Sequence, residues 1–170
     1  MDSVKGVTCT EVPQVALASV AARAGLEPKA AEVLAQLIDA PVPEVGRWAG
    51  ATVKAFWSGP DQWMIEAPYD SHEDLADQVK AVVGDTASVT EQTDAWTRFD
   101  LSGDSISAVL ELLCQLDLRR LDDGGSARCA IHHLGCFVLR RTPEMVSIFG
   151  PRSSAGSLHH AIVTAMRAAL

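Results

Sequence analysis

Cysteine and histidine side chains lie close together in the segment 129–136, which reads CAIHHLGC. Both residue types bind zinc, and a tight turn would bring Cys129 near Cys136. The spacing matches neither Cys-x₂₋₄-Cys nor His-x₃₋₅-His, the usual zinc patterns. In a strand, Cys129 and His132 would also point to opposite faces, so four ligands would not converge. We therefore expect buried thiols and turn histidines here, and no metal site.

Two further histidines, His159 and His160, lie in the last predicted helix. Adjacent helical residues diverge by about 100°, so the pair does not bind one ion together in the usual way. We expect one of the two to face solvent or a partner, and we assign neither a catalytic role.

Carboxylates at strand ends are the next candidates. Glu91, Asp94 and Asp100 could supply the strand-end carboxylate that folate-binding and aminomethyl-transfer enzymes require, but solvated acids at strand edges are the favoured interpretation. The sequence contains no G-x-G-x-x-G after a strand, no G-x-x-x-x-G-K-[ST] and no G-x-S-x-G. We therefore predict no catalytic, cofactor-binding or metal-binding residues in this chain.

Composition excludes several classes of function. The 170 residues carry a net charge of −8, with basic residues scattered along the chain, which argues against nucleic-acid binding. No apolar run approaches the roughly 20 residues that cross a bilayer, and no hydrophobic signal region follows Met1. Four irregularly spaced cysteines are typical of free thiols in a reducing compartment. We expect a cytoplasmic protein with no membrane partner.

Hydrophobic periodicity predicts the elements that would position these residues. Helices are expected from Pro28 to about 38, from a capping box at Ser71 and Asp74 to Gly84, over residues 106–113, and after a cap at Ser157. Strands are predicted around these helices, at about 14–24, 52–67, 86–93, 95–101, 127–132, 136–140 and 145–149.

The order of the elements predicts an α+β fold made of two halves. Each half, about 14–93 and 94–170, resembles a split βαβ unit with helices on one face of a mainly antiparallel sheet. Residues 14–170 are interpreted as one domain, and residues 1–13 as a loose N-terminal arm.

The clearest local pattern is a hairpin, WSGPDQWMI, at residues 57–65. Gly59, Pro60 and Asp61 are turn formers, and Trp57 and Trp63 flank them in alternating strands. The tryptophans are expected to be packing or interface anchors and not parts of a chemical site.

This hairpin resembles the W-x-G-P-D-E-W-L-L signature of the gamma subunit of heterotetrameric sarcosine oxidase. Similar resemblances follow in the sequence at 40–45 (APVPEV), 89–97 (VTEQTDAWT), 99–103 (FDLSG) with 110–118, and 152–158 (RSSAGSL). The chain departs from the family pattern at Gln62, where Glu is usual, at Gln92 and Thr93, and at Ser154, where Phe is usual.

The resemblance implies a fold similar to the folate-binding domain of glycine-cleavage T-protein. It implies a non-catalytic gamma subunit that supports assembly with alpha, beta and delta subunits. Those subunits would hold FAD, FMN, NAD, tetrahydrofolate and zinc, and this chain would hold no cofactor. The complex would oxidatively demethylate sarcosine to glycine, with formation of hydrogen peroxide and methylene-tetrahydrofolate.

Three alternatives stay open at this point, two of them related to amine chemistry and the third a small binding or scaffold domain unrelated to amine oxidation. The first is a stand-alone folate-dependent aminomethyltransferase or demethylase, although such enzymes are about twice this length. The second is a subunit of a related N-methyl amino acid oxidase or dehydrogenase.

Overall fold

The structure is a computed structural model that describes residues 1–170, and it contains eleven strands and four α-helices. The strands are β1 Asp2–Val4, β2 Val7–Glu11, β3 Val15–Ala22, β4 Trp48–Gly50, β5 Lys54–Gly59, β6 Gln62–Pro68, β7 Ala87–Glu91, β8 Trp96–Ser102, β9 Ser126–Ile131, β10 Leu134–Thr142 and β11 Met145–Pro151. The helices are α1 Glu27–Ile38, α2 Leu75–Val83, α3 Ile106–Leu113 and α4 Ala155–Ala169. The chain forms two compact units, one of residues 14–93 and one of residues 1–13 together with 94–170.

The unit of residues 14–93 is a five-stranded sheet with the order β4-β5-β6-β3-β7, in which every neighbouring pair is antiparallel. Helices α1 and α2 connect its strands in the order β3-α1-β4-β5-β6-α2-β7. From β3 the chain passes through α1 and the short β4 into β5, and β6 then lies between β3 and β5 in the sheet. This is the split βαβ arrangement that the sequence predicts.

Local sequence explains where α1 begins and ends. Pro28 lies in the first turn, where its missing N–H costs nothing. Asp39 ends the helix in the left-handed conformation, with φ 52°. Ala30, Leu34 and Ile38 form the buried stripe and pack into the apolar core of this unit, which also contains Val20 of β3.

The predicted capping box of α2 is wrong. Residues Tyr69–Ser71 form a separate 3₁₀ turn, and the Ser71 hydroxyl donates to the Pro68 carbonyl at 3.4 Å instead of capping a helix. Helix α2 begins only at Leu75, with Asp74 at the N-cap position but without a side-chain cap bond. Because the 3₁₀ turn after Pro68 takes the place of the first helical turn, α2 starts about one turn later than the sequence pattern indicates.

The other unit is a six-stranded antiparallel sheet with the order β1-β2-β8-β11-β10-β9. Helices α3 and α4 pack on each other, and their buried faces share one apolar core with the sheet. Leu110 of α3, Ile162 of α4 and Ile148 of β11 are fully buried in that core.

The loose N-terminal arm is a wrong prediction. Residues 2–4 and 7–11 form a hairpin, and β2 pairs with β8 in a register that places Cys9 opposite Leu101. Val7 and Cys9 are buried in the core, which explains why this short polar segment is ordered. Its partner strand lies about ninety residues away in sequence, beyond the reach of a local pattern.

The predicted helix cap at Ser157 is also wrong. A 3₁₀ turn at Arg152–Ser154 leads directly into α4, so Ser154 is the N-cap residue and Ser157 lies in the first helical turn. The remaining predicted elements are present with small shifts of their ends, and the α+β class with two antiparallel sheets is confirmed.

Candidate functional site

A groove of about 720 Å³ in the unit of residues 1–13 and 94–170 is lined by cysteine, histidine and charged side chains. The end of α3 and the following residues form one wall, and strand β9 with the turn after it forms the other. Polar side chains at its rim come from both walls: Glu111, Gln115, Arg128, His132 and His133.

Two cysteines, Cys114 and Cys129, line the groove, and the Cys114 thiol donates a hydrogen bond to the Leu110 carbonyl at 3.7 Å. Cys114 is the C-cap residue of α3 and has an extended backbone, whereas Cys129 lies within the edge strand β9. Both are half-buried against the core. The structure therefore brings together two thiols that are fifteen positions apart in sequence.

The two thiols shift each other's pKa in opposite directions. The Cys129 thiol, together with the Leu116 backbone, lowers the pKa of the Cys114 thiol to about 7, against the opposing effect of burial. The Cys114 thiol and burial raise the pKa of the Cys129 thiol. Cys114 is therefore the thiolate of the pair near neutral pH, and a thiolate is the nucleophilic form of cysteine.

The other two cysteines lie away from solvent. Cys136 is directly opposite Cys129 in the β9–β10 register, as the tight turn of the sequence predicts. It is fully buried, and burial raises its pKa to about 11; burial has the same effect on Cys9. These two thiols act as core side chains.

The histidines of the segment 129–136 form the hairpin turn itself, as the sequence predicts. Ile131 pairs with Leu134, so His132 and His133 are the two loop residues, with φ 47° and 68°. Two positive φ values are typical of a type I′ turn, where Asn and Gly are the favoured residues. Both histidines are exposed. No group of three or more His, Cys, Asp or Glu side chains in the structure is arranged to hold a metal ion.

The histidines of α4 have different surroundings, as their spacing predicts. His159 Nε2 lies 2.8 Å from Asp2 Oδ2, and its ring stacks on Phe99 with centroids 5.6 Å apart. His160 is exposed. His159 thus joins the helix to the N-terminal hairpin, a contact that the sequence alone did not indicate.

The three carboxylates considered from sequence have separate, local roles. Glu91 accepts a hydrogen bond from the Thr93 backbone, and Asp94 is 95% exposed, with Arg152 at 3.9 Å. Asp100 lies within β8 and not at its end. Its two oxygens accept a bidentate pair of hydrogen bonds from Arg98, both at 2.7 Å.

Asp100 also belongs to a polar row across three neighbouring strands that the sequence did not predict. The Ser147 hydroxyl of β11 donates to Asp100 Oδ1 at 2.7 Å, and Arg141 Nε of β10 donates to Ser147 Oγ at 2.9 Å. Because alternate residues of a strand share a face, Arg98 and Asp100 lie on one face of β8, but this alternation gives no information about the partner strands. Bonds of this kind hold Asp100 in place as a structural carboxylate.

The tryptophan hairpin has the predicted strands and turn. Gly59 pairs with Gln62, so Pro60 and Asp61 are the loop residues, and Asp61 has a left-handed φ of 53°. Trp57 and Trp63 are directly opposite each other in the register, so they share one face of the sheet.

The two tryptophans of the pair differ in burial. Trp63 is 6% exposed and lies in the core beside Ile65, and its indole N–H donates to the Pro43 carbonyl at 3.0 Å. Trp57 and Trp48 are only half-buried. Trp63 is therefore the inner anchor, which fastens the 39–47 connection to the hairpin.

Comparison with solved structures shows which known proteins have a similar fold. The chain is similar to one chain of the heterotetrameric sarcosine oxidase from Corynebacterium sp. U-96, with a TM-score of 0.84 and 22% identity over 95% of this chain and 84% of that chain. It is also similar to the glycine cleavage system aminomethyltransferase T from Bartonella henselae, with a TM-score of 0.71 and 15% identity. That match covers 93% of this chain but 45% of the aminomethyltransferase.

At these identities the likeness establishes a shared fold, the one that the sequence resemblance implies. No protein-family model matches the sequence, and no curated protein matches it. No helix of the structure has both the length and the hydrophobicity needed to cross a membrane.

Proposed function

We propose that this chain is a gamma-type, non-catalytic subunit of a flavin-dependent complex similar to heterotetrameric sarcosine oxidase. The observation that carries the proposal is the likeness to a chain of that heterotetramer over 84% of its length. The quoted motifs, above all the tryptophan hairpin, point in the same direction. The complex would oxidatively demethylate sarcosine, or a related N-methyl amino acid, in the cytoplasm.

The state of the carboxylates supports a structural role for this chain. Folate and aminomethyl chemistry requires a carboxylate that is available to the substrate, and Asp100 is the only one of the three candidates that is part-buried in its sheet. Both of its oxygens are engaged by Arg98, and Ser147 donates to one of them. Its surroundings therefore fit a cross-strand brace better than a substrate-binding group. In the proposal, FAD, FMN, NAD, tetrahydrofolate and zinc are held by the alpha, beta and delta subunits.

The outer tryptophans are the proposed contact anchors of the chain. Trp48 lies on the edge strand β4, opposite Phe56, and Trp57 lies on β5 beside the inner Trp63. Half-buried aromatic side chains on a rigid sheet lose little conformational entropy on binding, and such residues are enriched at the centres of interfaces.

The proposal is tested by co-expressing the tagged chain with the alpha, beta and delta subunits of the same organism. Capture of the whole set, together with sarcosine-dependent oxygen consumption, supports it. Trp57→Ala should reduce capture at least about tenfold if this side chain is an interface hot spot. The matched control is Leu112→Ala, which removes a side chain that is 59% exposed in the other unit and should leave capture unchanged. Assembly of an active complex that excludes this chain would refute the proposal.

The rival proposal is a stand-alone folate-dependent aminomethyltransferase, favoured by the likeness to aminomethyltransferase T. The chain covers 45% of that protein, less than half of its length. Calorimetric titration of the purified chain with tetrahydrofolate separates the two readings. Micromolar binding by this chain alone would favour the rival, and no heat of binding is expected for the gamma-type subunit.

A further inference from the structure

We propose that the free edge of β9 is the surface through which this chain pairs with a second copy of itself, in an antiparallel β9–β9 contact about a two-fold axis at Cys129. The partner is a second chain of the same sequence. The inference stands apart from the proposed subunit role, because it concerns the chain purified alone and uses groups of one compact unit.

The backbone of β9 is paired on one side only. β9 is the last strand of its sheet, and β10 is its single neighbour. Ile131 and Leu134 close the two-residue turn, and a pair that closes such a turn exchanges its N–H and C=O groups. In the same phase of the ladder, the Arg140 N–H donates to the Gly125 carbonyl at 2.9 Å. The odd-numbered residues of β9 therefore bond to β10, and the even-numbered residues direct their backbone groups away from it.

Arg128 and Ala130 are the exposed residues whose backbone groups face this open side. No backbone hydrogen bond outside the strand ladder involves either of them. The groove of about 720 Å³ lies between β9 and the end of α3, so the helix does not close over the edge. Two N–H and two C=O groups are therefore presented in the geometry that another extended strand satisfies.

The features that usually protect a sheet edge are weak at β9. Its six residues contain neither proline nor glycine, and its register with β10 has no bulge. Arg128 is its only charged residue, and the guanidinium lies over the Phe137 ring of β10, 5.4 Å from the ring centroid. By contrast, β1 and β4 have three residues each, and β7 ends at the exposed Glu91. β9 is therefore the edge that offers the longest uninterrupted backbone to a partner strand.

The spacing of the outward-facing groups selects a second copy as the occupant. When two β9 strands run antiparallel with Cys129 opposite its own equivalent, Arg128 of each copy pairs with Ala130 of the other. Both pairs use outward-facing groups, so the contact forms four hydrogen bonds. Moving the axis to Arg128 would set two like charges opposite each other, and moving it to Ala130 would set Arg128 against the turn. The edge is therefore self-complementary in one register, as an isologous two-fold interface requires.

Charge does not oppose this contact. The unit that contains β9 has ten acidic and nine basic side chains, whereas residues 14–93 have twelve acidic and five basic ones. Most of the chain's net charge of −8 therefore belongs to the other unit. The rim of the groove is balanced as well, because Glu111 and Arg128 have opposite signs. It selects neither an acidic nor a basic foreign segment, and it does not repel its own copy.

The first test measures the mass of the purified, reduced full-length chain by light scattering up to a concentration of about 500 µM. The mass should rise from 18.1 kDa toward twice that value as the concentration increases. Because an isologous contact closes on itself, no larger species should form. Hydrogen exchange at the Arg128 and Ala130 amides should slow over the same concentration range.

Two variants test whether the backbone makes the contact. Ala130→Pro removes one outward N–H from each copy, and thus two of the four bonds, without removing a bond to β10. It should raise the dissociation constant of the dimer at least about tenfold. The matched control is Ala130→Ser, which keeps the N–H and should change the constant by less than about threefold. Circular dichroism checks that both variants fold.

A cross-link tests the register. Opposite residues of a non-hydrogen-bonded pair have Cα atoms about 4.5 Å apart, which is within disulfide range. Copper–phenanthroline in air should therefore link Cys129 to Cys129 of the second copy, with two thiols and half a dioxygen giving one disulfide and one water. Peptide mapping by mass spectrometry locates the bond.

Four results would overturn the inference. The chain stays monomeric at the highest concentration, the dimer is unaffected by Ala130→Pro, or the cross-link joins Cys114 in place of Cys129. In the fourth, the chain alone is monomeric but Ala130→Pro weakens its capture by the alpha, beta and delta subunits, which would show that a segment of another subunit occupies the edge. If Ala130→Pro does not fold, the wild-type mass and cross-link still decide between the outcomes.

Discussion

Replacing Trp63 with Phe tests how the tryptophan hairpin is fastened to its unit. The indole N–H donates to the buried Pro43 carbonyl at 3.0 Å, and the ring is 6% exposed in the core. Phe keeps an aromatic ring but removes the donor, which leaves a buried carbonyl without that bond at a cost of about 1–3 kcal/mol. The smaller ring adds about 1 kcal/mol of lost packing. We expect a total loss of about 2–4 kcal/mol in the free energy of unfolding.

The matched control is Trp57→Phe, at the position directly opposite in the register. Trp57 is only half-buried, so its replacement should cost less than about 1 kcal/mol. Urea denaturation followed by far-ultraviolet circular dichroism measures both variants without relying on tryptophan fluorescence. Equal losses in the two variants would refute the assignment of Trp63 as the inner anchor.

Three further predictions concern positions in the other unit. Gly103 has φ +137°, and a Cβ there would lie 2.4 Å from the Gly6 carbonyl oxygen, so Gly103→Ala should lower the free energy of unfolding by about 2 kcal/mol or more. In Gly156→Ala, in α4, the new Cβ would meet nothing within 4 Å, and the free energy of unfolding should rise by about 0.5–1 kcal/mol. The urea midpoints of the two variants should therefore move in opposite directions. Asp100→Asn weakens the bidentate hydrogen bonding with Arg98 at a side chain that is 14% exposed. Denaturant titration should show a loss of about 1–3 kcal/mol in the free energy of unfolding. An unchanged midpoint would contradict the role of Asp100 in holding the strands together. His133 has a positive φ of 68° in the β9–β10 turn, which glycine adopts without strain. His133→Gly should therefore raise the free energy of unfolding by about 0.5–1 kcal/mol, seen as a higher melting temperature. A lower melting temperature would show that the histidine stabilises the turn through a contact of its own.

The sequence predicted the elements whose signals are local. Pro28 and the buried stripe from Ala30 to Ile38 define α1, and alternation along β8 puts Arg98 and Asp100 on one face, as the structure has them. The resemblance of the tryptophan hairpin pointed to the fold that comparison with solved structures supports.

The errors arose where distant segments decide the outcome. The N-terminal hairpin is ordered because β2 pairs with β8, and no local pattern in residues 1–13 encodes that partner. The caps expected at Ser71 and Ser157 failed because 3₁₀ turns displaced the helix starts. For the two caps the contacts are local, as in the Ser71 bond to Pro68, but the sequence pattern does not distinguish a 3₁₀ turn from the first turn of a helix.

The thiol pair shows the same limit at the candidate site. The sequence brought Cys129 near Cys136 through the hairpin, and the register confirms that proximity. The thiol whose pKa Cys129 lowers is Cys114, which lies at the end of a different element. Only the packing of α3 against the sheet brings these two residues together.

Native mass spectrometry of the co-expressed complex tests the central proposal most directly. If this chain is a gamma-type subunit, the intact flavin-containing assembly should include one copy of it, 18.1 kDa, and should lose sarcosine-dependent oxygen consumption when the chain is omitted from the co-expression. An assembly of the alpha, beta and delta subunits that forms and turns over sarcosine normally, without that mass, would contradict the proposal.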